Sequence, residues 1–140
     1  MASSIHGTCV AIGGAGALLL GPSGSGKSDL ALRLIDQGAE LVADDRVELR
    51  VAGAQVLASA PAQLPPLLEV RGIGLLPMRP RPGGVPLAAV FRLERSSERL
   101  PVPGAWQYEG ASVPSFYLDP SAPSAAARVR AVMALAPVAA

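Results

Sequence analysis

With 140 residues, 50% of them hydrophobic, the chain has the size of one domain around one core. Its 12 Lys and Arg against 11 Asp and Glu leave a net charge of +1, which gives no electrostatic case for nucleic acid or an anionic membrane. A single cysteine cannot form an internal disulfide, so a reducing compartment is the natural inference.

Thr8 to Ile12 and Ala17 to Leu20 read as two strands of a hairpin around Gly13-Gly14-Ala15-Gly16. Cys9, inside the first run, reads as a small buried hydrophobe. No positive charge precedes this apolar region, so it is not a secretion signal, and no segment reaches bilayer-spanning length. The expectation is a soluble, cytoplasmic protein.

Gly21-Pro22-Ser23-Gly24-Ser25-Gly26-Lys27-Ser28 then fits G-x-x-x-x-G-K-[ST], with an apolar strand before it and a helical pattern behind. Glycines let consecutive backbone N–H groups turn inward around a phosphate, and the helix adds its unpaired first N–H groups and positive dipole end. Lys27, the sole lysine of the chain, would reach the β- and γ-phosphates. The Ser28 hydroxyl would take one position on Mg²⁺.

From Lys27 to Gln37, Leu30, Ala31, Leu34 and Ile35 recur at helical spacing, and Gly38 supplies the stop. A strand from Ala39 to Ala43 leads into Asp44-Asp45. An eleven-residue helix runs back about 16 Å, and a five-residue strand climbs about the same distance. A strand–helix–strand crossover would therefore bring the two aspartates to the rim that carries the phosphate loop, with alternation turning one of them toward the site.

Val47 to Val51 and Gln55 to Ala58 read as strands around Gly53, and Pro61 to Pro66 as a rigid connector. In Leu67-Leu68-Glu69-Val70-Arg71-Gly72-Ile73-Gly74, strand parity lets Glu69 and Arg71 project together. Pro77 to Pro86 reads as a mobile loop, Leu87 to Leu93 as a strand and Glu94 to Arg99 as a charged turn. Trp106 and Tyr108 share a parity that suits packing. Val113 to Leu118 reads as an edge strand because of Pro114, and a last helix starts at Ser124 and runs through Leu135.

Phosphoryl transfer needs positioning, charge neutralisation and an oriented nucleophile. Asp44 or Asp45 could take the acceptor's proton, a second carboxylate could complete a magnesium shell, and Arg71 or Arg99 could stabilise transferring charge.

The order His6-Gly7, GPSGSGKSD, GAELVADDRVEL and LLEVRGIGLL resembles the catalytic domain of the bacterial HPr kinase/phosphorylase family. The similarity runs from about Ile5 to Leu76. It implies one catalytic domain over 1–140, in a short form without the family's N-terminal domain. The implied fold is an α/β, P-loop-containing, phosphoenolpyruvate carboxykinase-like mixed sheet with flanking helices. It implies ATP and Mg²⁺ as cofactors and a serine of the phosphocarrier HPr as acceptor. Residue by residue, Lys27 matches the phosphate-loop lysine, Ser28 and Glu69 the magnesium ligands, and Asp45 the general base beside Asp44. Arg71 falls within the signature around Glu69, and His6 matches a site histidine. Arg99 is the counterpart of a catalytic arginine, at a spacing that has drifted.

The basic segment tied to phosphorolysis has no counterpart in Val113 to Pro120, so phosphorylase activity and the family's hexameric assembly are not carried over; a homo-oligomer is left open. Two other readings compete: a small-molecule P-loop kinase, and a nucleotide-sensing module that binds without turnover.

Overall fold

The computed structural model describes residues 3–62, 66–79, 83–94 and 104–135. The first predicted hairpin is formed by β2 (Thr8–Ile12) and β3 (Ala15–Leu20), paired antiparallel from Thr8↔Leu19 to Ile12↔Ala15. Gly13 and Gly14 close it with φ of 60° and 81°, the doubly left-handed turn whose twist suits a two-residue hairpin. Because that turn needs only Gly13 and Gly14, β3 starts at Ala15 rather than Ala17. Helix α1 (Lys27–Asp36) buries Leu30, Ala31 and Leu34, and Gly38 ends it with φ 106° and an N–H to Ile35 O at 3.0 Å.

Strand β4 (Glu40–Ala43) pairs antiparallel with β2, which is itself antiparallel to β3. The chain thus leaves β3, crosses through α1 and returns parallel to β3 with one strand between them. Strands β5 (Arg46–Ala52) and β6 (Gln55–Ser59) make a second hairpin whose tip needs Gly53 at φ 63°. A strand absent from the sequence reading, β1 (Ser3–His6), pairs with β5. Its Ser-Ser-Ile-His composition carries too little apolar alternation to announce it.

Strands β7 (Leu67–Val70) and β8 (Gly74–Pro77) form a separate two-stranded sheet. This corrects the expected parity: Val70 ends β7, and Arg71 sits in the turn that passes through Gly72 at φ 83°. The expected loop from Pro77 to Pro86 is also shorter, because Pro77 closes β8 while Val85 and Pro86 open β9 (Val85–Arg92).

Strand β9 sits at the centre of the nine-stranded sheet. It is antiparallel to β6 at Val85 and Pro86, parallel to β3 from Leu87 to Arg92, and parallel to β11 (Ala111–Tyr117) at Val90 to Arg92. Strand β10 (Gly104–Tyr108) forms a hairpin with β11. The edge position expected from Pro114 is corrected: β11 lies between β10 and β9. Pro114 is accommodated because it stands just before Ser115, where pairing with β9 begins. Helix α2 (Ala125–Leu135) closes the described chain.

The sheet has a core on each face, as strand alternation requires. Val10, Ala17, Leu19 and Phe91 pack against Leu30 and Leu34 of α1 and Val129 of α2. Cys9, Leu18 and Val90 point the other way, onto Val47, Leu49, Val56 and Val113, so the sheet curls over its own second core. Trp106 and Tyr108 stack at 5.6 Å on the margin of that core. Arg99 and most of the expected charged turn lie outside the described residues, as do 63–65 of the proline connector and 80–82 of the loop.

Candidate active site

The phosphate loop spans Gly21 to Ser28 between β3 and α1. Gly24 and Gly26 adopt φ of 82° and 101°, conformations L side chains rarely take. Gly26 is the N-cap of α1 and supplies no side-chain bond to the first-turn N–H groups. Those groups therefore remain for an anion, together with the positive end of the helix. A Cβ on Gly26 would stand 3.3 Å from Cβ of Pro120, so the loop rests directly on the segment after β11. Arg33 of α1 ties that segment down, donating from Nη2 to Pro120 O at 2.6 Å and from Nη1 to Ala122 O at 3.5 Å.

Lys27 is buried, and its ammonium donates to the carbonyls of Gly21 at 2.7 Å and Pro22 at 2.9 Å, with Ser25 Oγ at 3.5 Å. Burial lowers its pKa below the usual 10.5, while the charges of Asp44 and Asp45 oppose that shift. The lone ammonium therefore lies within the field of both aspartates.

Asp44 and Asp45 fall beyond the end of β4, so strand alternation does not separate them. Both line the same cleft of about 960 Å³, together with His6, Lys27, Glu69 and Arg71. This differs from the expectation that only one would face the site. The reversal depends on Asp45 at φ 69°, a left-handed conformation that aspartate tolerates better than most residues. It is held by Gly7 N–H to Asp45 O at 3.1 Å and Arg46 N–H to Asp44 O at 2.8 Å.

The two carboxylates have different surroundings. Asp44 accepts from Ser28 Oγ at 3.1 and 3.3 Å, from Thr8 Oγ1 at 2.8 Å and from the Glu69 backbone N–H at 3.3 Å. Asp45 is 77% exposed at its side chain and pairs with His6, Nδ1 to Oδ1 at 3.2 Å. One acid is fixed against the loop; the other is open to an incoming group. Sequence reasoning missed Thr8, whose only signal was a hydroxyl in an apolar strand run, and Arg33, for which the helical pattern carried no signal.

The donor set suits a phosphate-bound magnesium ion. Mg²⁺ takes hard oxygen ligands and keeps several waters, so a site with one serine hydroxyl and a neighbouring carboxylate is of the right kind. Among the described residues no group of three or more His, Cys, Asp or Glu could hold a metal by itself. Glu69 meets the cluster through its backbone, while its exposed side chain lines the cleft. Among the described residues no helix is long and apolar enough to cross a membrane.

Comparison with known proteins adds a consistent set of likenesses. A family model described as HPr Serine kinase C-terminal domain matches residues 1–84. An HPr kinase/phosphorylase from an Exiguobacterium species is 51% identical over 75 residues, which are 53% of this chain and 24% of that protein. The HPr kinase/phosphorylase of Bordetella pertussis is 50% identical over 78 residues, 55% of this chain and 25% of that protein. The matched segment thus spans about a quarter of the length of these curated relatives. A solved structure, the Hpr(Ser) kinase/phosphatase from Coxiella burnetii, superimposes with a TM-score of 0.76 at 20% identity. It covers 94% of this chain and 88% of that one, a likeness of fold that extends well past residue 84.

Proposed function

The chain belongs to the HPr serine kinase C-terminal domain family, and from that premise we propose that it transfers the γ-phosphoryl group of ATP to a serine of an HPr-type phosphocarrier. The single observation that carries the reading is the meeting of Lys27, Ser28, Asp44 and Asp45 around one cleft.

Loop N–H groups and Lys27 bind the phosphates and neutralise their charge. Asp44 accepts a hydrogen bond from Ser28 Oγ, which would leave the serine lone pairs available to a magnesium ion. Bound Mg²⁺ supplies charge neutralisation on the phosphate oxygens. Asp45, exposed in the cleft, takes the proton of the acceptor serine as its oxygen bonds to the γ-phosphorus and the bond to the ADP oxygen breaks. His6 orients Asp45 through their 3.2 Å contact, and Arg71, which lines the same cleft, offers positive charge. Glu69 is a further oxygen donor facing the same cleft. The reaction is read in the kinase direction, since Val113 to Pro120 carries no basic residue for the reverse.

The test is to incubate the chain with HPr, ATP and Mg²⁺ and to weigh the HPr by mass spectrometry. One added phosphate is expected, together with near-complete loss in Asp45→Asn while nucleotide still binds. An Asp45→Asn variant of full activity would remove Asp45 from the mechanism. Tight ATP binding by the unmodified chain without transfer would favour a sensing module instead.

A further inference from the structure

Among the described residues, three polar or charged side chains are buried: Lys27, Ser115 and Thr8, and Thr8 is completely inaccessible. A threonine can stand in an apolar strand as a β-branched filler, but this one has a specific partner. It opens β2 opposite Leu19 of β3, and the next residue, Cys9, pairs with Ala43, the last residue of β4. The start of β2 therefore lies beside the end of β4, where Asp44 follows. Register irregularity between Cys9 and Val10 marks this point in the ladder.

From there the Thr8 hydroxyl donates to Asp44 Oδ1 at 2.8 Å, the shortest of the contacts that carboxylate receives from side chains. Ser28 reaches both oxygens, and the Glu69 N–H reaches Oδ2. Thr8 and Glu69 thus hold one oxygen each and fix the carboxylate plane. With the plane fixed, the Ser28 proton has a set acceptor and the serine lone pairs have a set direction.

We propose that Thr8 is a positioning residue for magnesium–nucleotide binding: it orients Asp44, and through Asp44 the Ser28 hydroxyl that faces the metal. Thr8 stands at the wall of the cleft with no accessible surface of its own, so it acts through Asp44. The inference rests on the reading of Ser28 as a magnesium-facing hydroxyl, and its test is built on equilibrium binding so that it does not depend on transfer to HPr.

ATP affinity is measured by titration with and without Mg²⁺ for the unmodified chain, Thr8→Val and Thr8→Ser. Valine keeps the shape and removes the donor; serine restores it. Loss of an outer partner of a metal site commonly weakens metal affinity by about tenfold or more. The Mg²⁺-dependent gain in ATP affinity should therefore fall by about tenfold in Thr8→Val, with Mg²⁺-free affinity within about twofold of the parent. Thr8→Ser should regain most of the difference. A packing role alone would lower the melting temperature and affect both affinities alike, with no selectivity for Mg²⁺. Should Thr8→Val show no cooperative melting, Thr8→Ala is compared with Thr8→Ser by the same titrations.

An unchanged Mg²⁺ effect in a folded Thr8→Val or Thr8→Ala overturns the proposal, as does a Thr8→Ser variant no better than valine. An unmodified chain that binds Mg²⁺–ATP but leaves HPr unphosphorylated sinks the kinase reading while the Thr8 comparison still decides its own question. An unmodified chain whose ATP affinity ignores Mg²⁺ overturns both.

Discussion

Replacing Gly26 by alanine should damage the phosphate loop more than the same change at Gly24, and the difference should come from Pro120. Both glycines are left-handed, at φ 101° and 82°, so each alanine incurs a backbone penalty of about 1–2 kcal/mol. A Cβ at Gly24 meets nothing within 4 Å, whereas one at Gly26 meets Pro120 Cβ at 3.3 Å and Cγ at 3.5 Å. Relief would require Pro120 to shift by a few tenths of an ångström, and its carbonyl is held by Arg33 at 2.6 Å. That crowding should add about 1 kcal/mol, the low end of the overpacking range. At about 3 °C per kcal/mol for a chain of this size, Gly24→Ala should lower the melting temperature by about 3–6 °C and Gly26→Ala by about 6–9 °C. Because Gly26 also aims the first N–H groups of α1, its variant should lose at least about tenfold in ATP affinity by titration. Adding Arg33→Met should reduce the excess cost at Gly26, since Pro120 can then yield. Equal melting temperatures for the two alanine variants, or an Arg33→Met background that leaves the gap unchanged, would refute the reasoning.

Other expectations follow from particular contacts. Phe91 is fully buried at the centre of the sheet and stacks on Phe116 at 5.7 Å, so Phe91→Ala should cost about 3–5 kcal/mol in urea unfolding. Lys27 has a folded-state pKa below 10.5, so at alkaline pH the unfolded chain binds more protons there. The nucleotide-free protein should accordingly gain stability as pH rises from the folded value toward 10.5, and melting curves of Lys27→Met should lack that component. A Lys27→Met pH profile parallel to the parent's would contradict burial as the dominant cause. Phosphoserine-HPr incubated with inorganic phosphate should yield little pyrophosphate in a coupled assay, and robust release would restore the reverse reaction.

The sequence made the phosphate loop legible because its glycines, lysine and serine have fixed spacing and one physical purpose. The first hairpin and both helices were legible through turn residues and periodicity. Strand β1 was not, because Ser3 and Ser4 obscure the alternation, and neither was β10, whose Trp106 and Tyr108 gave only a shared parity. His6, Lys27, Ser28, Asp44, Asp45, Glu69 and Arg71 line one cleft, whereas Thr8 went unread, Arg99 lies outside the described residues, and the arrangement was not legible. Asp44 and Asp45 differ through a single backbone angle at Asp45 and through partners at Thr8, His6 and Ser28 that lie far away along the chain. Arg71 reaches the cleft beside Glu69, though not by strand parity: a positive-φ glycine at Gly72 turned a straight strand into a hairpin.

The central place of β9 has a consequence for how the molecule comes together. The segment matched by the family model ends at residue 84, and β9 begins at Val85. Up to that point β3 and β6 each wait with a bare flank, and only a later-synthesised keystone joins them. A nascent chain emerging in order would present two sticky borders, one of them beside the nucleotide loop, until eight further residues slot between them. Lesions in Val85–Arg92 should therefore act on yield from the ribosome as much as on the finished protein, although none of those residues lines the cleft beside Lys27 and the aspartates.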